Sequence, residues 1–305
     1  MDTRTLLLGV DGGGTRCRAL LCVAAGEKLA EAIAGPANIR FGVEQSFASV
    51  LQATTQCLAQ ASLSPRDFGR IVACLALAGA SEPSYLAVAQ AYKHPFRKAV
   101  FVTDAQAACV GAHGGRDGGI IVVGTGSCGW AEVRGRHCRV GGWGWPISDE
   151  GSGAWLGSEA LRRTLWAHDG RIAWTGLLTS LSVKFQSDPH AIVRWMTGAA
   201  PRDYGSFAPA IIEHAKCNDP VASELMQLAA WHIDALAARL VAFGVERIAL
   251  AGGLATHIEP WLAEATRGYL VAPLGSAVEG ALQLAKAAAE GNLDGGIPFV
   301  AGRWG

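Results

Sequence analysis

The chain has 305 residues, of which half are hydrophobic and only 17% are charged, so the composition excludes a disordered protein and can supply two cores. The 26 basic and 26 acidic residues balance, which argues against nucleic acid or an anionic membrane as the main partner. The eight cysteines form no CxxC pair, and no apolar run reaches the ~18 residues of a membrane span. We therefore expect a soluble, cytoplasmic protein with reduced, buried thiols.

The first third of the chain predicts alternating strands and helices. Residues 5–10 and 18–25 flank a glycine-rich turn and predict a tight hairpin, and a third strand is predicted at 28–34. Apolar residues at helical spacing predict a helix over 44–61. The other elements expected here are a strand at 70–79, a helix at 83–93, a strand at 98–103 and a helix at 105–113 that Gly114 and Gly115 end.

The same plan begins again at Gly118. The segment GGIIVVGTGSCGWAEV is similar to LLLGVDGGGTRCRALLCV, because both have an apolar strand, a turn of glycine and threonine, and a second strand. Two such hairpins predict a duplicated α/β architecture with an N-terminal lobe at 1–115, a C-terminal lobe at 116–305 and a cleft between them.

The rest of the second lobe is predicted to be mainly helical. Residues 157–240 have a helical pattern, and ERIALAGG predicts a strand that runs into two glycines. Ser276 and Glu279 have the spacing of a capping box at the start of an alanine-rich helix. This last helix could pack back on the N-terminal lobe.

Both glycine turns favour phosphate binding. A turn without side chains exposes backbone N–H groups in a concave array that binds phosphate oxygens. Asp11 would repel phosphate unless Mg²⁺ lies between them, and Mg²⁺ keeps most of its waters. The alternative for each turn is an ordinary hairpin. GTGSCG also matches the dinucleotide motif GxGxxG, but a hairpin pattern follows it where that motif requires a helix.

Five short motifs occur in order: DGGGT, TDAQAA, GTGS, GGWG with SDEGSG, and LAGG. Together they resemble the nucleotide-binding elements of the actin, sugar-kinase and heat-shock-chaperone ATPase fold. Within that superfamily the chain is similar to the N-acetylglucosamine kinase and glucosamine kinase branch, which is related to the dehydratase-activator ATPases. The match covers most of 5–160 and resumes at 247–285, whereas 165–240 carries no usable signature.

The resemblance implies an α/β, two-lobed actin-like ATPase with ribonuclease-H-like duplicated domains and a central cleft for nucleotide and sugar. It also implies ATP and Mg²⁺ as cofactors and a homodimer. Asp11 would hold Mg²⁺ through water. The implied nucleotide ligands are Asp11, Gly12, Gly13, Gly14 and Thr15 in the first loop, Gly124, Thr125, Gly126 and Ser127 in the second, and Gly252 and Gly253 beside the adenosine.

The resemblance assigns Asp104 as the general base that accepts the proton of the attacking sugar hydroxyl. From the sequence alone Asp104 is also expected to be the N-cap of the helix that follows, and the two roles are compatible. The implied sugar ligands are Asn38, Asp104, Trp143, Gly144 and Asp149. Without the resemblance, Trp143 would be expected in a packed core beside a turn carboxylate.

We therefore expect an ATP-dependent kinase that phosphorylates the 6-hydroxyl of N-acetylglucosamine, with glucosamine favoured almost equally. One alternative is an activator ATPase of a 2-hydroxyacyl-CoA dehydratase, which would use cysteines for a bridging iron–sulfur cluster. Another is a sugar sensor without catalysis on the same fold, which an intact Asp104 disfavours.

Overall fold

The computed structural model describes residues 5–293, which divide into two compact units. The first unit contains residues 5–118, 134–137 and 272–293, and the second contains residues 119–133 and 138–271. Compared with the expected lobes, the last helix and a short turn belong to the first unit. The ends of those lobes, 1–4 and 294–305, lie outside the described residues.

In each unit a run of three strands comes first; strands and helices then alternate in the first unit, whereas a run of helices follows in the second. The strands are β1 Leu6–Gly12, β2 Cys17–Val23, β3 Lys28–Ala34, β4 Ile71–Leu77, β5 Lys98–Thr103, β6 Gly118–Val123, β7 Ser127–Val133, β8 Arg136–Gly141, β9 Ile248–Ala251 and β10 Leu270–Val271. The helices are α1 Val43–Gln60, α2 Pro83–Ala91, α3 Asp104–His113, α4 Gly153–His168, α5 Gly176–Lys184, α6 Pro189–Met196, α7 Pro201–Gly205, α8 Ala208–Lys216, α9 Pro220–Phe243, α10 Ala255–Ile258, α11 Glu264–Arg267 and α12 Ala277–Ala289.

The first sheet has the strand order β3-β2-β1-β4-β5. Strand β1 pairs antiparallel with β2 and parallel with β4, and β4 pairs parallel with β5. Alternate residues of β1 face opposite sides of the sheet: Leu8 joins the cluster that contains Phe47 of α1, and Leu7 joins the cluster that contains Ala281 of α12. Both faces are covered, which explains why β1 and β4 are apolar without alternation.

Helix α12 packs on β1 and α3 at a very short separation. A Cβ at Gly9 would overlap the Val278 carbonyl oxygen, and a Cβ at Gly280 would overlap the Ala107 carbonyl oxygen. Only glycine permits this approach of backbone to backbone. The predicted capping box is present, because the Ser276 N–H donates to Glu279 Oε2 over 2.7 Å.

The second sheet has the order β10-β9-β6-β7-β8, which is the order of the first sheet read from its far edge. Strand β6 pairs parallel with β9, as β1 does with β4. Arg134 and Gly135 both have positive φ in the turn between β7 and β8, as in a two-residue hairpin turn. The predicted duplication is confirmed, and a strand, not a dinucleotide-motif helix, follows GTGSCG.

Helices α4 to α9 form the larger part of the second unit, around a cluster that contains Leu156, Leu225 and Ile233. In the span 5–293, no helix has both the length and the apolar character that crossing a membrane would require.

Candidate functional site

The first glycine loop is the turn between β1 and β2. The Gly13 N–H donates to the Arg16 carbonyl over 3.0 Å, and Thr15 is exposed at the tip. Two neighbouring segments hold the loop from behind: the Ala37 N–H donates to the Gly13 carbonyl, and the Ala78 N–H donates to the Gly12 carbonyl. Hydrogen bonds therefore fix Gly12 and Gly13, whereas Thr15 at the tip of the loop is exposed to solvent.

Two carboxylates lie near the ends of strands in this first sheet. Asp11 is near the end of β1, and Asp104 directly follows β5, with β4 between the two strands. Burial and then the negative charge of Asp104 raise the pKa of Asp11, although Arg18 and Arg16 oppose the shift. A cation at Asp11 would relieve this repulsion.

The donor set around Asp11 fits a magnesium ion held mainly by phosphate and water. Over the described residues there is no group of three or more His, Cys, Asp or Glu side chains able to hold a metal. Mg²⁺ characteristically uses one or two carboxylates and completes its shell with water and substrate phosphates. Asp11 alone satisfies the protein's share of that requirement.

Asp104 is not the N-cap of α3. Thr103 is the cap, because its side-chain oxygen accepts the Gln106 N–H over 3.0 Å. Asp104 is the first helical residue, and its Oδ1 accepts the Ala105 N–H over 2.9 Å. Burial raises the pKa of Asp104 despite this hydrogen bond. Asp104 is thus a carboxylate that the helix does not need as a cap, and its raised pKa makes it suited to accept a proton.

Asn38 is tied to local structure. Its Oδ1 accepts the Arg40 N–H over 3.0 Å and caps the short 3₁₀ helix Ile39–Phe41. Its backbone bridges to Ala78, directly beside the support of the first glycine loop. The side chain is therefore held in position by the same segments that fix Gly12 and Gly13.

The second glycine loop is held by the start of α4. The Gly153 N–H donates to the Gly124 carbonyl over 2.8 Å, and the Ala154 N–H donates to the Thr125 carbonyl over 3.1 Å. Thr125 is exposed. Ser127 is 5% exposed, and its hydroxyl hydrogen is donated to the Glu150 carbonyl over 2.7 Å. Thr125 is thus exposed at the loop, whereas Ser127 anchors the loop to the segment around Asp149.

Trp143 lies on the surface and not in a core, with 72% of its area exposed. The Arg139 guanidinium lies 3.9 Å from the centre of its ring, within the range of a cation–π contact. Ser148 fixes the backbone here, because the Trp143 N–H donates to its Oγ, which in turn donates to Glu150 Oε2. An exposed, oriented indole is a surface on which a sugar ring could stack.

Asp149 has a positive φ of 69°, which is uncommon for a residue other than glycine. Its carboxylate lies against the second glycine loop, since a Cβ at Gly126 would be 2.7 Å from Asp149 Oδ2. Gly144 also has positive φ, and its carbonyl accepts the Ser148 N–H. The segment that contains Gly144 and Asp149 therefore folds so that Asp149, a predicted sugar ligand, lies against the second glycine loop.

Gly252 and Gly253 form the turn from β9 to α10. A Cβ at Gly252 would overlap the Val123 carbonyl oxygen, whereas nothing lies within 4 Å of a Cβ at Gly253. Close packing against Val123 thus explains why residue 252 is a glycine, whereas the space beside Gly253 is open. A cavity of about 420 Å³ lies beside α10, with Thr256, His257 and Trp261 among its lining residues.

Sequence reasoning did not find the contribution of α7. A Cβ at Gly205 would be 3.9 Å from Thr125 Cγ2, and the Tyr204 ring lies 4.9 Å from the ring of Trp145. No motif marks this stretch, in which Tyr204 is the one aromatic residue.

No disulfide joins any of the eight cysteines, all of which lie among the described residues, and the expected burial applies to six of the eight. Burial raises the pKa of Cys17 and of Cys57 to about 12. Cys128 is partly exposed and Cys217 is exposed.

Comparison with known proteins gives close relatives over nearly the whole chain. Glucosamine kinase GspK of Vibrio cholerae is 43% identical over 91% of this chain and 95% of its own length. A protein of Chromobacterium violaceum assigned as an N-acetylglucosamine kinase has a structure with a TM-score of 0.87 and 34% identity, over 92% of this chain and 99% of its own.

A more distant structure shows the fold alone. It is component A of (R)-2-hydroxyglutaryl-CoA dehydratase from Acidaminococcus fermentans, at 14% identity and a TM-score of 0.52, over 94% of this chain and 99% of its own. With the two five-stranded sheets, these neighbours confirm the expected actin-like ATPase fold. The family model described as BadF/BadG/BcrA/BcrD ATPase matches residues 8–285. The chain belongs to the BadF/BadG/BcrA/BcrD ATPase family.

Proposed function

We propose that the protein is an ATP-dependent amino-sugar kinase that transfers the γ-phosphoryl group to the 6-hydroxyl of its acceptor. The observation that carries this proposal is the 43% identity with a glucosamine kinase over 95% of that relative. The placement of Asp104 supports it, because this carboxylate has a raised pKa and is not used as a helix cap. An activator ATPase has weaker support, since its structural relative is only 14% identical.

The proposed chemical step is a single displacement. The 6-hydroxyl oxygen attacks the γ-phosphorus, its proton passes to Asp104, and the bond from phosphorus to the β–γ bridging oxygen breaks to release ADP. Asp11 would hold Mg²⁺ through water; the ion, when bound, neutralises phosphate charge. The backbone N–H groups of each glycine loop would bind phosphate oxygens, together with the exposed Thr15 in the first loop and Thr125 in the second.

The cavity beside α10 is proposed to receive the adenine base. Its volume of about 420 Å³ lies within the usual range of ligand pockets. Its lining includes Thr256, three residues after Gly253, together with Ile212 of α8, Met226 and Trp261. Aromatic and aliphatic walls with a few polar groups suit a purine.

The acceptor is proposed to be glucosamine or N-acetylglucosamine. The sequence alone narrowly favoured N-acetylglucosamine, but the relative with 43% identity and nearly full coverage is a glucosamine kinase. The structural relative with 34% identity is assigned as an N-acetylglucosamine kinase. We give glucosamine priority because the identity with its kinase is higher.

The position of transfer has a direct test. The product formed from Mg·ATP and glucosamine should show phosphorus coupled to the protons on carbon 6 in a two-dimensional NMR spectrum. The 6-deoxy sugar should accept no phosphate. A product phosphorylated at carbon 1 or 3 would contradict the proposed site of transfer.

A further inference from the structure

A row of aromatic rings in the second unit connects Trp145 to the hydrophobic core. The ring centres of Trp145 and Tyr204 are 4.9 Å apart, and those of Tyr204 and Trp195 are also 4.9 Å apart. Trp195 in turn lies 5.5 Å from Phe207, which is buried in the core. Tyr204 is therefore the link between the core and Trp145.

The backbone of α7 is fixed independently of this row. A Cβ at Gly157 would overlap the Tyr204 carbonyl oxygen, so α7 lies directly on α4. The Asp203 carboxylate accepts the Ala200 N–H over 2.7 Å and holds the first turn. Because main-chain packing holds α7 on α4, we expect the helix to keep its position when the Tyr204 side chain is changed.

Trp145 belongs to the segment that carries the predicted sugar ligands. It follows Trp143 and Gly144 directly in the chain, and the Gly144 carbonyl is hydrogen-bonded to Ser148 in the same turn. Trp143 itself is largely exposed, so the more enclosed Trp145 ring is the side chain that ties this turn to the core.

We infer that Tyr204 is a positioning residue for the amino-sugar acceptor: its ring fixes Trp145 and thereby the orientation of Trp143 and Gly144. This inference rests on the proposed function. The Trp145 and Tyr204 rings are tilted at 41° to each other, and contacts between aromatic rings favour particular geometries over others. A small misplacement of a substrate-binding group can slow a reaction strongly. The contact needs the ring and not the hydroxyl. The helical region without a sequence signature thus acquires a role in acceptor binding.

Steady-state kinetics of Tyr204→Leu and Tyr204→Phe, with amino sugar and ATP varied separately, test this role. Loss of the ring should raise KM for the acceptor by about tenfold or more and leave KM for ATP within about twofold. Tyr204→Phe should restore wild-type values for both. An equal rise in both KM values, no rise in either, or a failure of phenylalanine to rescue would overturn the inference.

The partner ring provides a second measurement. Trp145→Leu should show the same rise in acceptor KM, and the double variant with Tyr204→Leu should be no worse than either single variant, because both remove one contact. Additive effects would show that the two rings act independently and would overturn the inference. A wild-type protein that phosphorylates no amino sugar would overturn the proposed function as well, which distinguishes the two failures. Thermal unfolding of each variant should show a folded protein.

Discussion

The carboxylate of Asp149 lies directly against Gly126, so that a side chain at Gly126 would be only 2.7 Å from Asp149 Oδ2. This contact joins the loop proposed to bind phosphate to the segment proposed to bind the sugar. Asp149 adopts a positive φ of 69° in this arrangement. Such a backbone is retained when the surrounding structure holds it, and it is frequent at functional sites.

Gly126→Ala should therefore impair catalysis. The added methyl group would push the Asp149 carboxylate away, and kcat/KM for the amino sugar should fall by about tenfold or more. The matched control is Gly198→Ala, because nothing lies within 4 Å of a Cβ at Gly198. Equal activity of the two variants in a coupled assay for ADP would contradict a role for the contact between Gly126 and Asp149.

Asp104→Asn should slow transfer strongly while stabilising the protein at neutral pH. Removal of a general base costs about 10²–10⁴ in rate. Burial raises the pKa of Asp104 in the folded state. The ionised carboxylate therefore destabilises the folded protein at pH values above the raised pKa. Below the ordinary carboxyl value of 3.8 the group is protonated in both the folded and the unfolded state, and this destabilisation is absent. The variant should have a higher Tm than wild type at pH 7, and this difference should vanish in acid. A lower Tm at pH 7 would contradict the raised pKa.

The same carboxyl group sets the expected pH dependence of activity. Asp104 must be ionised to accept the hydroxyl proton, so kcat/KM should be lost as the pH falls through its raised pKa. The acidic limb of the pH profile should therefore lie above the ordinary carboxyl value of 3.8. A wild-type rate constant unchanged down to that pH would argue for a different base.

Asp219 should contribute strongly to stability. This buried N-cap of α9 accepts N–H groups from Leu177, Val221 and Ala222. Asp219→Ala should cost about 2 kcal/mol in the free energy of unfolding, measured in urea at pH 7. The matched variant Asp188→Ala removes an exposed cap of α6 and should cost about 1 kcal/mol or less. Equal costs would show that burial of the cap has no influence.

The contribution of Asp219 should also depend on pH. Burial alone would raise its pKa, but the hydrogen bonds from Leu177, Ala222 and Thr175, with the nearby charge of His214, lower it overall. A lowered folded-state pKa means that the contribution is complete above the ordinary value of 3.8 and is lost as the pH falls through the lowered value. The difference between wild type and Asp219→Ala should shrink only in that acidic range.

Trp261→Leu tests the proposed base cavity. It removes an aromatic wall and should raise KM for ATP several-fold while KM for the amino sugar stays unchanged. Trp231→Leu is the control, because Trp231 is exposed on α9 and does not line the cavity. A rise in acceptor KM equal to that for ATP would place the effect elsewhere.

The features that the sequence predicted are those that depend on local period and turn chemistry. Both glycine hairpins, the alternation of β1 to α3 and the capping box at Ser276 agree with the structure. The prediction that Asp104 is the N-cap of α3 was wrong by one residue. The cap is Thr103, and the sequence could not distinguish the two because threonine and aspartate are both good caps.

The contacts that the sequence did not predict join distant segments. Nothing in the patterns at 124–127 and 201–205 relates Thr125 to Gly205, and their proximity depends on the packing of α7 on α4. The position of Asp149 on Gly126 similarly depends on a left-handed backbone that no local rule requires. The location of the protein in the cell and its oligomeric state stay predictions.

The most direct test of the proposed function is ADP release from Mg·ATP with glucosamine, N-acetylglucosamine, glucose or no sugar, for wild type and Asp104→Asn. We expect strong stimulation by an amino sugar, with glucosamine ahead of N-acetylglucosamine, and loss of the stimulation in the variant. ADP release that is the same with every sugar and without sugar would contradict the assignment as an amino-sugar kinase.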